Sequence, residues 1–208
     1  MHKVKYPIII KQIGEEMYFK LPNLVLGFHG CDLETVIEVV NNNENIMKNS
    51  ENIYDWLGNG IYFWENDYDR ALEWAEKSKK YENPAVLGAV IDLGYCLNLS
   101  NYKCVFALKK AYDILRYKFE LLNKDMPKNR NVKNNKDLLL RYLDCAVIEQ
   151  LHDINKEMGN EEYDSVRGVF IEGEPIYENS GIFEKTHAQI CIRNNNCIKG
   201  YFLPRKLD

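Results

Sequence analysis

The chain has 208 residues, of which 46% are hydrophobic and 28% charged, and its formal net charge is −4. This length suffices for one well-buried core but is short for two full domains, so we expect a single domain over residues 1–208. The acidic balance provides no overall attraction to nucleic acid or to an anionic membrane, and no apolar run reaches the roughly 20 residues of a membrane-spanning helix.

Residues 5–13 and 16–20 are predicted to form two short strands, the first of them a strand and not a signal peptide. A buried strand over residues 24–30 is expected to end at a His-Gly turn. Asp32 can cap the helix that follows, because apolar residues recur after it at helical spacing. The Asn-rich residues 41–52 are expected to form an exposed loop.

Residues 56–75 contain the most informative local pattern. Gly58 and Gly60 allow a sharp turn because glycine has no Cβ, and the aromatic-rich residues 61–64 then form a predicted strand. An acidic cap and a helix that carries Trp74 follow. Turn, strand and helix would surround one concavity with aromatic rings, which could bind a flat ligand, although such rings more often fill a core.

The middle of the chain changes from strand to helix. Residues 85–93 are typical of a fully buried strand, and residues 105–122 and 137–154 have helical apolar spacing. The polar, lysine-rich residues 123–136 between them are a solvated loop or a basic docking site for an acidic partner. We expect the helical pair, around residues 105–155, to be an excursion from a β-rich framework.

Strand character returns near the C-terminus, with predicted strands at residues 166–171, 188–192 and 197–202. Residues 172–184 between the first two are predicted to form a long loop, and the last two strands are predicted to pair as a hairpin. Strands at both ends with helices between them predict an α+β domain whose sheet mixes early and late strands.

The six cysteines show neither a Cys-x-x-Cys pair nor a Cys/His spacing typical of a metal site. Most have apolar neighbours, where a reduced cysteine acts as a small hydrophobe. We therefore expect no metal and a cytoplasmic location. The cysteines are Cys31, Cys96, Cys104, Cys145, Cys191 and Cys197.

Three motifs in order resemble the catalytic domain of the ADP-ribosyltransferases, in the branch that includes the poly(ADP-ribose) polymerases. They are Phe-His-Gly at residues 28–30, Gly-Asn-Gly-Ile-Tyr-Phe at residues 58–63, and Gln189 at the start of a late strand. Weaker matches are residues 165–168 and the loop of residues 177–181. The resemblance covers the chain outside residues 105–155 and implies a split β-sandwich of two small sheets with flanking helices.

The resemblance also implies a site for NAD as co-substrate. His29 would bond to ribose hydroxyls, and the backbone of Gly30 would hold the nicotinamide carboxamide. Tyr62 would stack on one face of the nicotinamide ring and Trp74 on the other. In structural terms alone, His29 could be a turn histidine bonded to backbone, and both aromatic residues could be core.

Several positions depart from the family's pattern. The serine that usually binds the carboxamide is replaced by Arg70 or Ala71, and Gln189 stands where the transferases often have glutamate. A carboxylate can bind the ribose 2′-hydroxyl and also stabilise developing positive charge, whereas a neutral amide can do only the first. Without the resemblance, Gln189 could be an ordinary edge-strand residue. His187, on the same strand face, could orient or deprotonate a nucleophile, and Glu184 could supply a carboxylate.

The implied activity is a mono-ADP-ribosyltransferase that cleaves the nicotinamide glycosidic bond and transfers one ADP-ribose unit to an unidentified protein or nucleic acid. The alternatives are a toxin-like NAD hydrolase, a domain that binds NAD or ADP-ribose without turnover, and an interaction domain that keeps only the fold. Arg167 and Arg193 could meet the NAD diphosphate or form surface salt bridges, and His2 and His152 are expected at the surface.

Overall fold

The computed structural model of the chain describes residues 24–42, 47–132 and 137–205. The two strands predicted before residue 21, and His2, lie outside these residues. None of the helices that the structure describes is both long enough and apolar enough to span a bilayer.

The described chain combines one mostly antiparallel sheet with four helices, so the prediction of an α+β domain is confirmed. The strands are β1 (Val25–Asp32), β2 (Ile61–Glu65), β3 (Pro84–Ile91), β4 (Cys96–Asn98), β5 (Ser165–Phe170), β6 (His187–Ile192) and β7 (Ile198–Phe202). The helices are α1 (Leu33–Asn41), α2 (Tyr68–Lys77), α3 (Tyr102–Leu121) and α4 (Tyr142–Met158), and a 3-10 helix covers Asn195–Cys197.

The seven strands form one mixed sheet in the order β4-β5-β6-β2-β1-β3-β7, in which only β4 and β5 are parallel. β1 pairs with β3 over its whole length. With β2, by contrast, β1 pairs only at Gly27 with Glu65 and at Phe28 with Trp64. We call this short ladder the β1/β2 seam, because it is where the strands β4-β5-β6-β2 meet the strands β1-β3-β7 in the sheet.

The predicted hairpin between the last two strands is wrong. β6 lies between β2 and β5, whereas β7 pairs with β3 at the opposite edge of the sheet. The turn between them is held elsewhere, because the backbone N–H groups of Arg193 and Asn194 both donate to the carbonyl of Asp164. The N–H of Asp92 then donates to the carbonyl of Cys197, 2.8 Å away, which directs the chain to the end of β3.

α3 and α4 lie between β4 and β5 in the chain, where the helical excursion is predicted, and they pack against the sheet. Ala111 of α3 and Ile148 of α4 share one buried cluster with Leu57 and with Val166 of β5. The predicted helical character of this region is confirmed, although α4 begins five residues later than the pattern indicates. Residues 137–141 are irregular instead, and Leu140 among them forms an isolated β-bridge with Arg130.

The expectation that His152 lies at the surface is also wrong. His152 is 4% exposed and lies one turn after the buried Ile148 on α4. Its ring meets Tyr163 edge-on at 5.8 Å, and neither ring nitrogen has a hydrogen-bond partner among the described residues. Burial, aided by the charge of Arg193, lowers the pKa of His152 to about 3, so the ring is neutral at neutral pH.

Candidate functional site

A cleft of about 880 Å³ opens beside the β1/β2 seam. Six of the candidate site residues named from the sequence line it. They are His29 from β1, Tyr62 from β2, Arg70 and Trp74 from α2, Glu184 from the loop before β6, and Gln189 from β6. The structure thus brings together residues up to 160 positions apart. Three other candidates, Gly30, Ala71 and His187, do not line the cleft.

Tyr62 fixes the glycine turn that precedes β2. Its hydroxyl donates to the carbonyl of Gly58 at 2.6 Å and accepts from the N–H of Leu57 at 2.8 Å. Gly58 has φ +78°, a left-handed conformation that favours glycine. Burial raises the pKa of Tyr62 well above its ordinary value, so the phenol stays neutral. The bonds of the hydroxyl therefore hold the ring at the cleft wall.

An ion pair behind the turn secures it from the other side. Glu149 of α4 accepts from the N–H of Asn59 at 2.8 Å and pairs with Arg193 at 2.7 Å. Arg193 also donates to the carbonyl of Asn59 at 2.9 Å. A Cβ on Gly58 would lie 2.3 Å from the Glu149 carboxylate. The sequence carries no local signal for Glu149, which lies 90 residues from the turn.

The two arginines considered for the NAD diphosphate have structural partners instead. Arg193 is paired with Glu149, and Arg167 is paired with Glu65 at the end of β2. Neither arginine lines the cleft. Both pairs are partly buried, so they tie elements together and are not the surface salt bridges of the other interpretation.

His29 joins β1 to β2 where their ladder has ended. Its Nδ1 lies 2.7 Å from the carbonyl oxygen of Tyr62, and a carbonyl oxygen can only accept, so Nδ1 carries the proton. Burial lowers the pKa of His29 despite that bond, which keeps the ring neutral. Nε2 is then a hydrogen-bond acceptor. His29 therefore combines the backbone-bonded role with a position in the cleft.

Gly30 and Ala71 form the contact between β1 and α2. A Cβ on Gly30 would lie 2.3 Å from the carbonyl oxygen of Ala71, so only glycine permits this approach. The Ala71 side chain is buried, whereas Arg70 lines the cleft. Leu26 accepts from Asn66 on the β2 side, and the polar groups of every second residue of a strand point the same way. The N–H and C=O of Gly30 consequently point to the β2 side, beyond the end of the seam.

Trp74 is an exposed aromatic surface and not a core residue. It is 43% exposed, and its ring centroid lies 5.8 Å from that of Trp64 and 6.0 Å from that of Tyr81. All three rings line the cleft. They form a continuous aromatic row along one wall.

Gln189 lies in the interior of the sheet and not on an edge strand. It pairs with Trp64 of β2 on one side and with Gly168 of β5 on the other. Its side chain lines the cleft, and among the described residues its amide has no hydrogen-bond partner. The amide is therefore available to a ligand.

His187 lies on the same strand face as Gln189, but its side chain is 0% exposed and does not reach the cleft. Its Nδ1 lies 2.7 Å from the carbonyl oxygen of Lys185 and 3.5 Å from the carboxylate of Glu172. The rings of Trp56 and Phe170 lie about 6 Å away. Burial lowers the pKa of His187. The structure thus gives this histidine a packing role and no position from which it touches a nucleophile.

A network of charged groups surrounds the first turn of α2. Arg70 bonds to Glu172 at 3.0 Å, and Lys185 bonds to Glu73 at 2.8 Å. Partial burial raises the pKa of Glu73, but the bonds from Lys185 and Lys77 and the charge of Arg70 outweigh it and lower that pKa to about 2. In the part of the chain that the structure describes, no three acidic, histidine or cysteine side chains group as metal ligands.

No protein-family model matches the chain. The sequence is similar to an uncharacterized protein of Methanocaldococcus jannaschii, with 25% identity over an alignment of 201 residues that covers 87% of this chain and 89% of the relative. The description of this relative gives no activity, so the case for a function rests on the geometry of the site.

Proposed function

We propose that the protein is an NAD-dependent mono-ADP-ribosyltransferase. The observation that carries the proposal is the convergence of four side chains from four separate elements on one cleft. These side chains are His29, Tyr62, Trp74 and Gln189. Each of them corresponds to a position of the ADP-ribosyltransferase motifs that the sequence resembles.

The polar groups of the cleft match the nicotinamide riboside half of NAD. A neutral His29 with a free Nε2 accepts a hydrogen bond from a ribose hydroxyl, which an imidazolium could not do. Gly30 does not itself line the cleft, but its backbone N–H and C=O point toward β2 and are the donor and acceptor that a carboxamide requires. Arg70 lines the cleft where Ala71 does not, and its Nε, which has no partner among the described residues, is a donor that could serve the carboxamide oxygen.

The rings of Tyr62 and Trp74 would hold the pyridinium ring. Its positive charge favours contact with aromatic faces, and it leaves as neutral nicotinamide when the bond to ribose C1′ breaks and the electron pair moves to the ring nitrogen. The ribose passes through an oxocarbenium-like state. An acceptor nucleophile then bonds to C1′ and releases its proton to solvent or to a nearby base.

Gln189 limits how much the site can accelerate this step. Its amide can bond to the ribose 2′-hydroxyl but adds no negative charge beside the developing cation. This favours a single, slow transfer over chain elongation. If water is the nucleophile, the same site gives an NAD hydrolase, and if cleavage is too slow it gives a domain that binds NAD or ADP-ribose without turnover.

The β1/β2 seam is the feature of the sheet that supports the finer fold assignment. Only two residue pairs of the backbone ladder join the two parts of the sheet, which is the division that a split β-sandwich requires. We therefore assign the fold to the ADP-ribosyltransferase type as part of the same proposal.

Incubation of the protein and a cell lysate with NAD that is labelled in either the nicotinamide or the adenylate group tests the proposal. Adenylate label in macromolecules supports transfer, and release of nicotinamide without such label supports hydrolysis. Binding of NAD by calorimetry without release supports the non-catalytic alternative. Absence of NAD binding overturns every reading of the cleft that involves this nucleotide.

A matched pair of variants connects the result to the cleft. Trp74→Ala removes a half-exposed ring from the cleft wall, and Tyr102→Ala removes a ring that is 76% exposed on α3, outside the cleft. Tyr102→Ala leaves buried side chains untouched, and Trp74→Ala uncovers part of Trp64, so thermal unfolding should accompany the binding measurement for both variants. We expect only Trp74→Ala to weaken NAD binding.

A further inference from the structure

Acidic and basic residues line opposite ends of the cleft, and α2 runs between these ends. Arg70, Trp74 and Lys77 lie at positions i, i+4 and i+7, and all three line the cleft, so one face of the helix forms its wall. At 1.5 Å per residue, Arg70 and Lys77 are about 10 Å apart along the helix axis. α2 therefore connects two chemically different ends of the cleft.

The end near Arg70 is acidic. Glu172 neutralises Arg70 at 3.0 Å. The loop that follows Glu172 adds further carboxylates, because Gly173 donates to Asp137 at 3.1 Å and Glu174 donates to Glu184 at 3.2 Å. A phosphate group at this end would face like charges.

The opposite end, beyond Lys77, is basic and aromatic. Lys80 and Tyr81 both line the cleft, and Lys80 is exposed with no acidic partner among the described residues. Lys48 lines the cleft as well, and Met47 before it packs on the cluster that contains Cys31. Burial, the Cys31 thiol and the Asp32 carboxylate raise the pKa of Tyr81, so its phenol stays neutral.

The row of aromatic rings connects the Gln189 end of the cleft to the lysine end. Gln189 pairs with Trp64, the ring of Trp64 lies 5.8 Å from that of Trp74, and Trp74 lies 6.0 Å from Tyr81. The row thus begins beside the free amide of Gln189. It ends beside the lysines.

We propose that Tyr81 and Lys80, with Lys48, form a subsite for a nucleoside diphosphate. The ammonium groups bind the diphosphate, and the base packs on the ring of Tyr81. The identity of this ligand as the ADP half of NAD rests on the proposed function. With NAD, the subsite fixes the orientation of the dinucleotide, with nicotinamide next to Gln189 and adenosine at the C-terminal end of α2.

Lys80→Glu tests the subsite, with Lys79→Glu as its matched control. The two lysines are adjacent and exposed, but only Lys80 lines the cleft. Calorimetry with ADP at low ionic strength should show about tenfold weaker binding for Lys80→Glu. It should show a change of less than about twofold for Lys79→Glu, and high salt should shrink the difference. Equal affinities of the two variants for ADP overturn the subsite.

Two further probes separate this inference from the proposed function. Nicotinamide alone carries no phosphate, so its binding should be the same in both lysine variants. Tyr81→Phe should keep the affinity for ADP, and Tyr81→Ala should lower it. ADP binding that depends on Lys80 in a protein that never cleaves NAD supports the subsite and contradicts the transferase. If the protein cleaves NAD but Lys80→Glu does not change its affinity for NAD or ADP, the subsite is wrong and the proposed function still stands.

Discussion

The Nδ1 atom of His29 lies 2.7 Å from the carbonyl oxygen of Tyr62, one residue beyond the last ladder pair between β1 and β2. In a continuing ladder, that carbonyl would bond to backbone. A side chain takes the place of the backbone here, and the rest of the imidazole ring thereby reaches the cleft. The bond from His29 Nδ1 to Tyr62 extends the contact between the two strands and also sets the tautomer of the ring.

Two substitutions of His29 separate these roles. Asparagine places an amide N–H near the position of Nδ1 but offers no acceptor at the position of Nε2. We expect His29→Asn to keep nearly the stability of the wild type and to lose NAD binding. His29→Ala should lose both NAD binding and about 1 kcal/mol of stability. Thermal unfolding and calorimetry measure the two effects, and NAD binding by His29→Asn at wild-type strength would contradict the role of Nε2.

The pair between Glu149 and Arg193 predicts a measurable coupling. Glu149→Gln keeps an acceptor for the N–H of Asn59 but removes the charge, and we expect a loss of about 1 kcal/mol because the pair is largely shielded from solvent. A double-mutant cycle with Arg193→Gln should give a coupling of similar size. The exposed pair of Arg116 and Glu120 is the control, and its removal should cost less than about 0.5 kcal/mol.

Gly30→Ala should destabilise the protein by several kcal/mol, on the order of a severe core overpacking. The new Cβ would meet a backbone carbonyl, that of Ala71, which cannot move without displacing α2. Gly200→Ala is the matched control in β7, where a Cβ has nothing within 4 Å. Chemical denaturation of both variants measures the difference. Similar stabilities would mean that β1 and α2 are not in this close contact.

His152 predicts a specific pH dependence. Its pKa falls from an ordinary value of 6.5 to about 3 on folding, so the unfolded chain binds the proton more tightly in this range. Stability is therefore full above pH 6.5 and falls as the pH drops. His152→Phe should stay within about 1 kcal/mol of the wild type at neutral pH, because two unpartnered buried nitrogens are removed. It should also take up about one proton fewer on unfolding in acid. Identical acid dependence in both proteins would rule this out.

Gln189→Glu is the most direct test of the chemistry. A carboxylate beside the ribose should stabilise the oxocarbenium-like state and raise the rate of nicotinamide release about tenfold or more. Gln189→Ala should lower that rate, since it removes the bond to the 2′-hydroxyl. If the glutamate variant is no faster while the alanine variant folds and retains activity, Gln189 is not at the reacting ribose.

The local features near the cleft could be predicted from the sequence because neighbouring residues determine them. The glycines before Tyr62 bend the chain, and Asp67 caps α2 by accepting from the N–H of Arg70. The position of His29 in the cleft was predictable only through the resemblance. The apolar periodicity indicates which residues share a strand face but not how deeply each side chain is buried. His187 shows the difference, because it lies on the predicted face and is still buried.

The missed features depend on partners outside the local segment. Apolar alternation shows which face of a strand is buried and not which strand lies beside it, so the place of β7 next to β3 could not be read from it. In the sequence, Glu149 cannot be distinguished from other charged helix residues, because its contact with Asn59 exists only in the folded chain. His152 is likewise buried by Tyr163 and not by its own local pattern.

The β1/β2 seam is the shortest backbone ladder of the described sheet, and buried side chains such as Phe63 and Ile91 pack together across it. Two ladder pairs join β1 to β2, whereas β1 and β3 share eight. A ligand that touches both His29 and Gln189 spans this short ladder, so its binding free energy opposes separation of the two parts of the sheet. Amide hydrogens of β1 and β2 near the seam should then exchange with solvent more slowly when the cleft is occupied. A ligand in the cleft would therefore make the two parts of the sheet unfold together and not one before the other.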